Sequence, residues 1–298
     1  MNTNMDLKWL PGYIALGITW GSSFYFIKLS LESLSPFGIA LLRGVLGGTT
    51  LLIYSLITKQ SFAISKKTLF DLFIVALLLN SIPGFLFSLA ETKVSSIIAG
   101  MLNATTPLMT VLMIFLVFRE QKINSNQLVG IFIGFIGIIF VSGVISKSVT
   151  VSVQGILLLL LSTLCYGIAF PYSRRNLGST GYSSTILATY QVLFSALILL
   201  PISIFTPVRN EDFQISSILG IAALGSLGTG FAYIWNFRNV KLAGSAIAST
   251  VTYISPVVAT ILGFLFLNEQ ISLSQIFGGI LVLLSALLVQ NRIKLIKN

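Results

Sequence analysis

The sequence predicts an all-α integral membrane protein whose ten transmembrane helices form two inverted five-helix repeats. Three observations carry that reading. The 298 residues are 55% hydrophobic and only 9% charged, with a mean hydropathy of +0.96, too little polar surface to cover a water-soluble globule of this size. Apolar stretches near the roughly 20 residues that cross hydrocarbon as a helix recur along the whole chain. The chain also repeats itself 149 positions on: Pro107, Glu120-Gln121 and Gly130 return as Pro256, Glu269-Gln270 and Gly279. Ser96, Ile98, Ala99, Phe115 and Leu116 meet Ser245, Ile247, Ala248, Phe264 and Leu265 in the same register. Matches between aliphatic residues are cheap in such a chain, but there are only five Glu and eight Pro, so their shared spacing marks a duplicated unit.

Taken in order, the expected spans are 10–31, 36–57, 69–90, 95–118 and 126–145 in a first repeat over residues 1–145. Those of a second repeat over 146–298 are 153–173, 182–205, 215–237, 244–267 and 272–291. Span 1 carries Trp20 and Gly17-x3-Gly21; span 2 starts at Pro36 and encloses Arg43 and Gly44-x3-Gly48. Span 3 has Asp71 about one turn in and Asn80 near its middle. Span 4 holds Asn103 and Pro107, and span 5 holds Gly130-x3-Gly134. Span 6 carries Tyr166, span 7 Tyr190 and Gln191, and span 8 Trp235 close to Arg238. Span 9 carries Thr252, Tyr253 and Pro256 before Glu269, and span 10 completes the second copy. The Ser/Thr/Val stretch Ser146 to Ser152 is the expected linker.

Five crossings per repeat is an odd number, so the second copy enters from the opposite side and the halves are antiparallel. Charge tests this independently. With both termini cytoplasmic, thirteen basic residues fall on that side, among them Lys59, Lys66, Lys67, Arg174, Arg175, Arg238 and Lys241. Only Lys28, Lys93, Lys147 and Arg209 fall outside, and Arg43 lies inside a span, the bias of the positive-inside rule. The net charge of +10 is thereby assigned to anionic lipid, with no nucleic-acid partner. The first apolar stretch has no small-residue cleavage pattern after it and is expected to be a retained span.

The residues that are missing exclude chemistry. The chain has no histidine, which removes Ser-His-Asp and Cys-His nucleophiles, HExxH zinc sites and imidazole relays. The single Cys165 forms no internal disulfide or cysteine metal cluster, and no phosphate-cradling Gly-x4-Gly-Lys-Ser/Thr loop is present. Every Asp and Glu lies near a span end, so paired intramembrane carboxylates are absent and a carboxylate proton relay is not expected. No catalytic residue, cofactor or metal is therefore assigned. A helical inverted repeat of this kind is most simply a secondary transporter with its pathway between the halves.

Several side chains are candidates for that pathway. Burying Arg43 costs roughly 2.5–3.5 kcal/mol on insertion scales; it either meets a ligand or serves as a strut. Asn80 and Asn103 need partners in hydrocarbon and should face the bundle interior. Pro107 and Pro256 free the carbonyls of Asn103 and Thr252, a polar patch or a packed kink at equivalent depth in both halves. Trp20, Tyr166, Tyr190 and Tyr253 suit a cavity for flat or amphipathic solutes, or core packing. Glu120 and Glu269 end spans 4 and 9 and are expected to serve at helix junctions. The glycine pairs report packing, sliding or a dimer contact.

The chain resembles the drug/metabolite transporter superfamily, in particular its ten-helix exporters of two EamA-type repeats. The resemblance rests on Ile18-Thr19-Trp20-Gly21-Ser22-Ser23-Phe24, Pro36 with Leu42-Arg43, Tyr166-Gly167 with Phe170, Tyr190-Gln191, and the two Pro-to-Glu-to-Gly series. It implies an inner-membrane exporter of small metabolites, amino-acid-like or drug-like, with a central cavity between the bundles, working as monomer or homodimer. The expected site comprises Trp20, Arg43, Asn80, Asn103, Tyr166, Tyr190, Gln191, Thr252 and Tyr253, with Pro107 and Pro256 as hinges. A non-transporting scaffold, a receptor-like subunit and a lipid flippase are the alternatives.

Overall fold

The computed structural model describes residues 9–118, 124–142, 152–212, 214–290 and 292–293. Apart from one isolated bridge between Leu34 and Arg209, the regular structure of these residues is helical. The first half holds α1 (Leu10–Ser30), α2 (Pro36–Ile57), α3 (Lys66–Glu91), α4 (Ser96–Phe118) and α5 (Ser125–Val141). The second holds α6 (Val153–Leu177), α7 (Ser184–Ile204), α8 (Ile215–Ala243), α9 (Thr250–Phe266) and α10 (Leu273–Val289). Six of these, α2, α3, α4, α6, α7 and α8, are long and apolar enough to cross a membrane. Helix α1 has 21 residues, and the shorter apolar α5, α9 and α10 reach the lower end of the spanning range.

Polar residues set where the helices begin. Ser35, Ser65, Ser95, Ser152 and Ser183 take extended backbone, and each accepts a hydrogen bond from an amide three residues on. This satisfies a donor that the first turn leaves open. Asn124 with Gln127, and Ser272 with Gln275, close full capping boxes at α5 and α10, so the last helix of each repeat starts in the same way.

Packing follows the duplication. Helix α5 lies on α10, α2 on α7 and α4 on α9, while α1 meets α8 and α9 as α6 meets α3 and α4. Exchanging the halves maps this set of contacts onto itself, as a two-fold axis between inverted repeats requires. Glycine permits the closest approach. A Cβ on Gly278 would lie 2.6 Å from the Val141 amide nitrogen and 2.7 Å from the Gly137 carbonyl oxygen. The Gly17, Gly21, Gly44, Gly48, Gly130 and Gly134 faces meet α9, α7 and α10 of the opposite half.

One connection differs from expectation. The break expected at 238–243 is helical: Ala232–Ser249 runs without interruption into a 3-10 turn at Thr250–Tyr253. In the first half Ser95 starts α4 by accepting from the Ile98 amide, whereas the residue 149 positions on is Gly244, which has no side chain to cap a new helix. Glu120 and the linker from Ser146 to 151 lie outside the described residues.

Candidate functional site

The spans that carry Pro107 and Pro256 are both interrupted. Helix α4 breaks after Asn103 and resumes at Thr106, and in α9 the 3-10 turn ends at Tyr253 before the helix resumes at Ser255. Proline removes an amide and displaces the carbonyl four residues back. In α4 that carbonyl, of Asn103, accepts from the Thr106 hydroxyl at 2.7 Å. The Asn103 amide crosses to Ser255 Oγ at 3.3 Å, tying the two breaks together. The breaks at Pro107 and Pro256 face each other across the halves.

A second pair of irregularities lies deeper. Helix α3 widens into a π-helix at Leu77–Ser81 and α8 at Leu224–Phe231. These segments occupy equivalent positions, since Asn80 and Thr229 are 149 residues apart. A π-turn frees main-chain groups from the regular ladder and recurs at functional sites. Here the freed groups are used crosswise. Trp20 Nε1 donates to the Gly228 carbonyl at 3.2 Å, and the Tyr233 hydroxyl donates to the Leu79 carbonyl at 2.9 Å. The two rings meet edge to face at 5.7 Å, within the favoured range for aromatic pairs. Side chains follow the same rule: Arg43 Nε donates to Thr229 Oγ1 at 3.0 Å, and Gln191 Nε2 donates to Asn80 Oδ1.

These features surround a pocket lined from both halves. Its wall contains Trp20, Arg43, Asn103, Tyr166 and Thr252 of the expected residues. It also contains Ser23, Phe24, Phe87, Phe170 and Tyr233, with Tyr166 stacked on Phe87 at 5.8 Å. Arg43 is 8% exposed. Among the described residues no carboxylate pairs with it, and Nε alone of its nitrogens makes a hydrogen bond. The cavity thus combines aromatic walls, an amide and an unpaired guanidinium with free donors.

The other expected residues lie elsewhere. Asn80 and Gln191 are buried against each other behind Leu79, with Asn80 Nδ2 and Gln191 Oε1 unpartnered. Tyr190 donates to the Phe62 carbonyl at 2.9 Å, and the buried hydroxyl of Tyr253 has no partner. Tyr233 was missed because it sits in an apolar run with no partner signal in sequence; its register with the repeated π-segment becomes visible only in three dimensions.

Two carboxylates are more deeply engaged than their positions at span ends suggest. Glu269 accepts from the Ser96 amide at 2.8 Å, Ser96 Oγ at 2.8 Å and the Ile97 amide at 3.0 Å, capping α4 from the opposite repeat. Asp71 is buried and accepts from the Tyr172 hydroxyl at 2.7 Å.

An inverted duplication of membrane helices around a pocket lined from both halves defines a multi-pass membrane protein of transporter type. The chain belongs to the EamA-like transporter family, whose model matches residues 7–143 and again 153–290. An uncharacterized transporter of Archaeoglobus fulgidus is 28% identical over 285 residues, covering 95% of this chain and 98% of that one. YedA of Escherichia coli K12, an uncharacterized inner membrane transporter, is 27% identical, covering 84% and 79%. Protein PecM of Dickeya dadantii is 21% identical over 91% and 89%. A crystal structure that is 19% identical superposes with a TM-score of 0.69 over 94% of this chain and 97% of its own, the same fold.

Proposed function

We propose that this protein exports small amphipathic solutes with an acidic group, amino-acid-like metabolites among them, across the cell inner membrane by alternating access. The observation that carries the reading is the cavity on the axis between the repeats, where the unpaired Arg43 guanidinium stands among aromatic rings. The aromatic faces would take the apolar body of the solute. Arg43 would take its anionic end, since charge-assisted hydrogen bonds to guanidinium are the stronger kind and are directional. Asn103 and Thr252, one from each interrupted helix, would supply neutral contacts.

Alternating access would be a rocking of one half against the other about the proline breaks in α4 and α9. The crossed hydrogen bonds of Trp20 and Tyr233 are then the contacts a solute competes with when it enters. We assign the repeats to residues 1–145 and 146–298, place both termini in the cytoplasm from the basic bias, and take one chain as sufficient for the pathway.

A thermal-shift screen of the purified protein against amino acids, nucleobases, vitamins and cationic drugs tests the reading, because a ligand selective for the folded state stabilises it. Stabilisation by carboxylate-bearing aromatic or aliphatic solutes, lost on Arg43→Gln, supports it. Stabilisation by cationic drugs alone contradicts the role given to Arg43.

A further inference from the structure

We propose that Glu91 is a proton-binding site, occupied in the conformation described here.

Glu91 is the last residue of α3 and only 1% exposed. Neither carboxylate oxygen has a hydrogen-bond partner. Phe87, Ala90 and Val94, its neighbours along the chain, belong to a buried apolar cluster. An ionised carboxylate buried without a donor carries a desolvation cost of several kcal/mol. The negative end of the helix dipole adds to that cost, since carboxylates are disfavoured in the last turn of a helix.

The nearby ammonium offsets only part of that cost. Lys28 of α1 donates to the Glu91 carbonyl at 2.5 Å and the Val94 carbonyl at 2.8 Å, so its charge acts on the carboxylate without giving it a hydrogen bond. Arg43 of α2 acts on Glu91 at longer range, bound to Thr229. Glu269, which follows α9, adds like charge while engaged at the start of α4. From α6, Tyr166 stacks on Phe87, one turn before Glu91; Lys93, in the turn after α3, is exposed. A metal cation would need several oxygen ligands, and the carbonyls that could supply them are held by Lys28. A proton needs none, and turns the side chain into a neutral acid that the apolar site accepts.

Infrared spectroscopy of the purified, reconstituted protein at neutral pH reads this directly, with no solute added. The protonated carboxyl stretch lies apart from the carboxylate bands, so Glu91 is expected to give an acid band that is lost in Glu91→Gln and displaced in Glu91→Asp. In deuterium oxide the band shifts, and raising the pH bleaches it as the carboxylate band grows. An acid band unchanged by Glu91→Gln, or no such band at neutral pH, overturns the proposal. A carboxylate band that moves with sodium at constant pH also overturns it, in favour of a cation site. Solute flux without a Glu91 acid band would sink this site and leave the transport reading intact; the band without flux would do the reverse.

Discussion

Arg43 donates to Thr229 across the two halves at 3.0 Å, and the duplication repeats that bond as Gln191 to Asn80. In each case the donor comes from the second helix of one repeat and the acceptor from the π-segment in the third helix of the other. The repeats have kept the bond and dropped the charge from one copy. The cavity wall follows that asymmetry, since it includes Arg43 and not Gln191.

The substitution Arg43→Gln therefore keeps the strut and removes the charge. The expected result is a melting temperature within a few degrees of the parent. Affinity for anionic solutes should fall about ten-fold or more, the range of about 1.5–3 kcal/mol for a charged hydrogen bond. Titration calorimetry with an acid and its neutral amide checks this, because affinity for the amide should stay level.

Trp20→Phe and Tyr233→Phe each remove one crossed hydrogen bond to a π-segment carbonyl while keeping an aromatic ring. Each should cost about 1 kcal/mol of stability. The rings touch, so the double variant should depart from additivity by about 0.5 kcal/mol or more. A thermal-denaturation cycle on the four proteins measures the coupling.

Glu269→Ala strips the start of α4 of three hydrogen bonds, with an expected loss of about 1–3 kcal/mol. Glu269→Gln retains an acceptor oxygen and should lose less. The order of the melting temperatures, parent above Gln above Ala, is the check.

Gly278→Val should destabilise by about 1–3 kcal/mol or prevent assembly, because its side chain would enter backbone already in contact at Gly137 and Val141. Gly181→Ala is the control. A Cβ there meets nothing within 4 Å, and the melting temperature should not move.

The ten helices and their inverted repeat were legible because hydropathy and an uncommon-residue repeat are both written locally along the chain. Pro107 and Pro256 mark candidate break positions for the same reason. The connection after α8 was misjudged because nearby Arg238 and Lys241 suggested a span end, while Gly244 offered no cap to begin a new helix. Within the site, Trp20, Arg43, Asn103, Tyr166 and Thr252 could be picked out by polarity or bulk inside a span. Tyr233 and the two π-segments could not, because a π-turn depends on tertiary partners for its freed carbonyls. Glu91 looked like a residue at a wet helix end. Its burial comes from packing of α1, α4 and α6 around that end, which one-dimensional distance to a span boundary cannot express.

The most direct test of the account is flux of the solute selected by thermal shift into proteoliposomes holding the parent protein, Trp20→Ala or Arg43→Gln. The account predicts saturable flux by the parent alone, reduced at least ten-fold in both variants at matched folding. Flux that is unchanged when both cavity residues are replaced, or movement of lipid without solute, would contradict it.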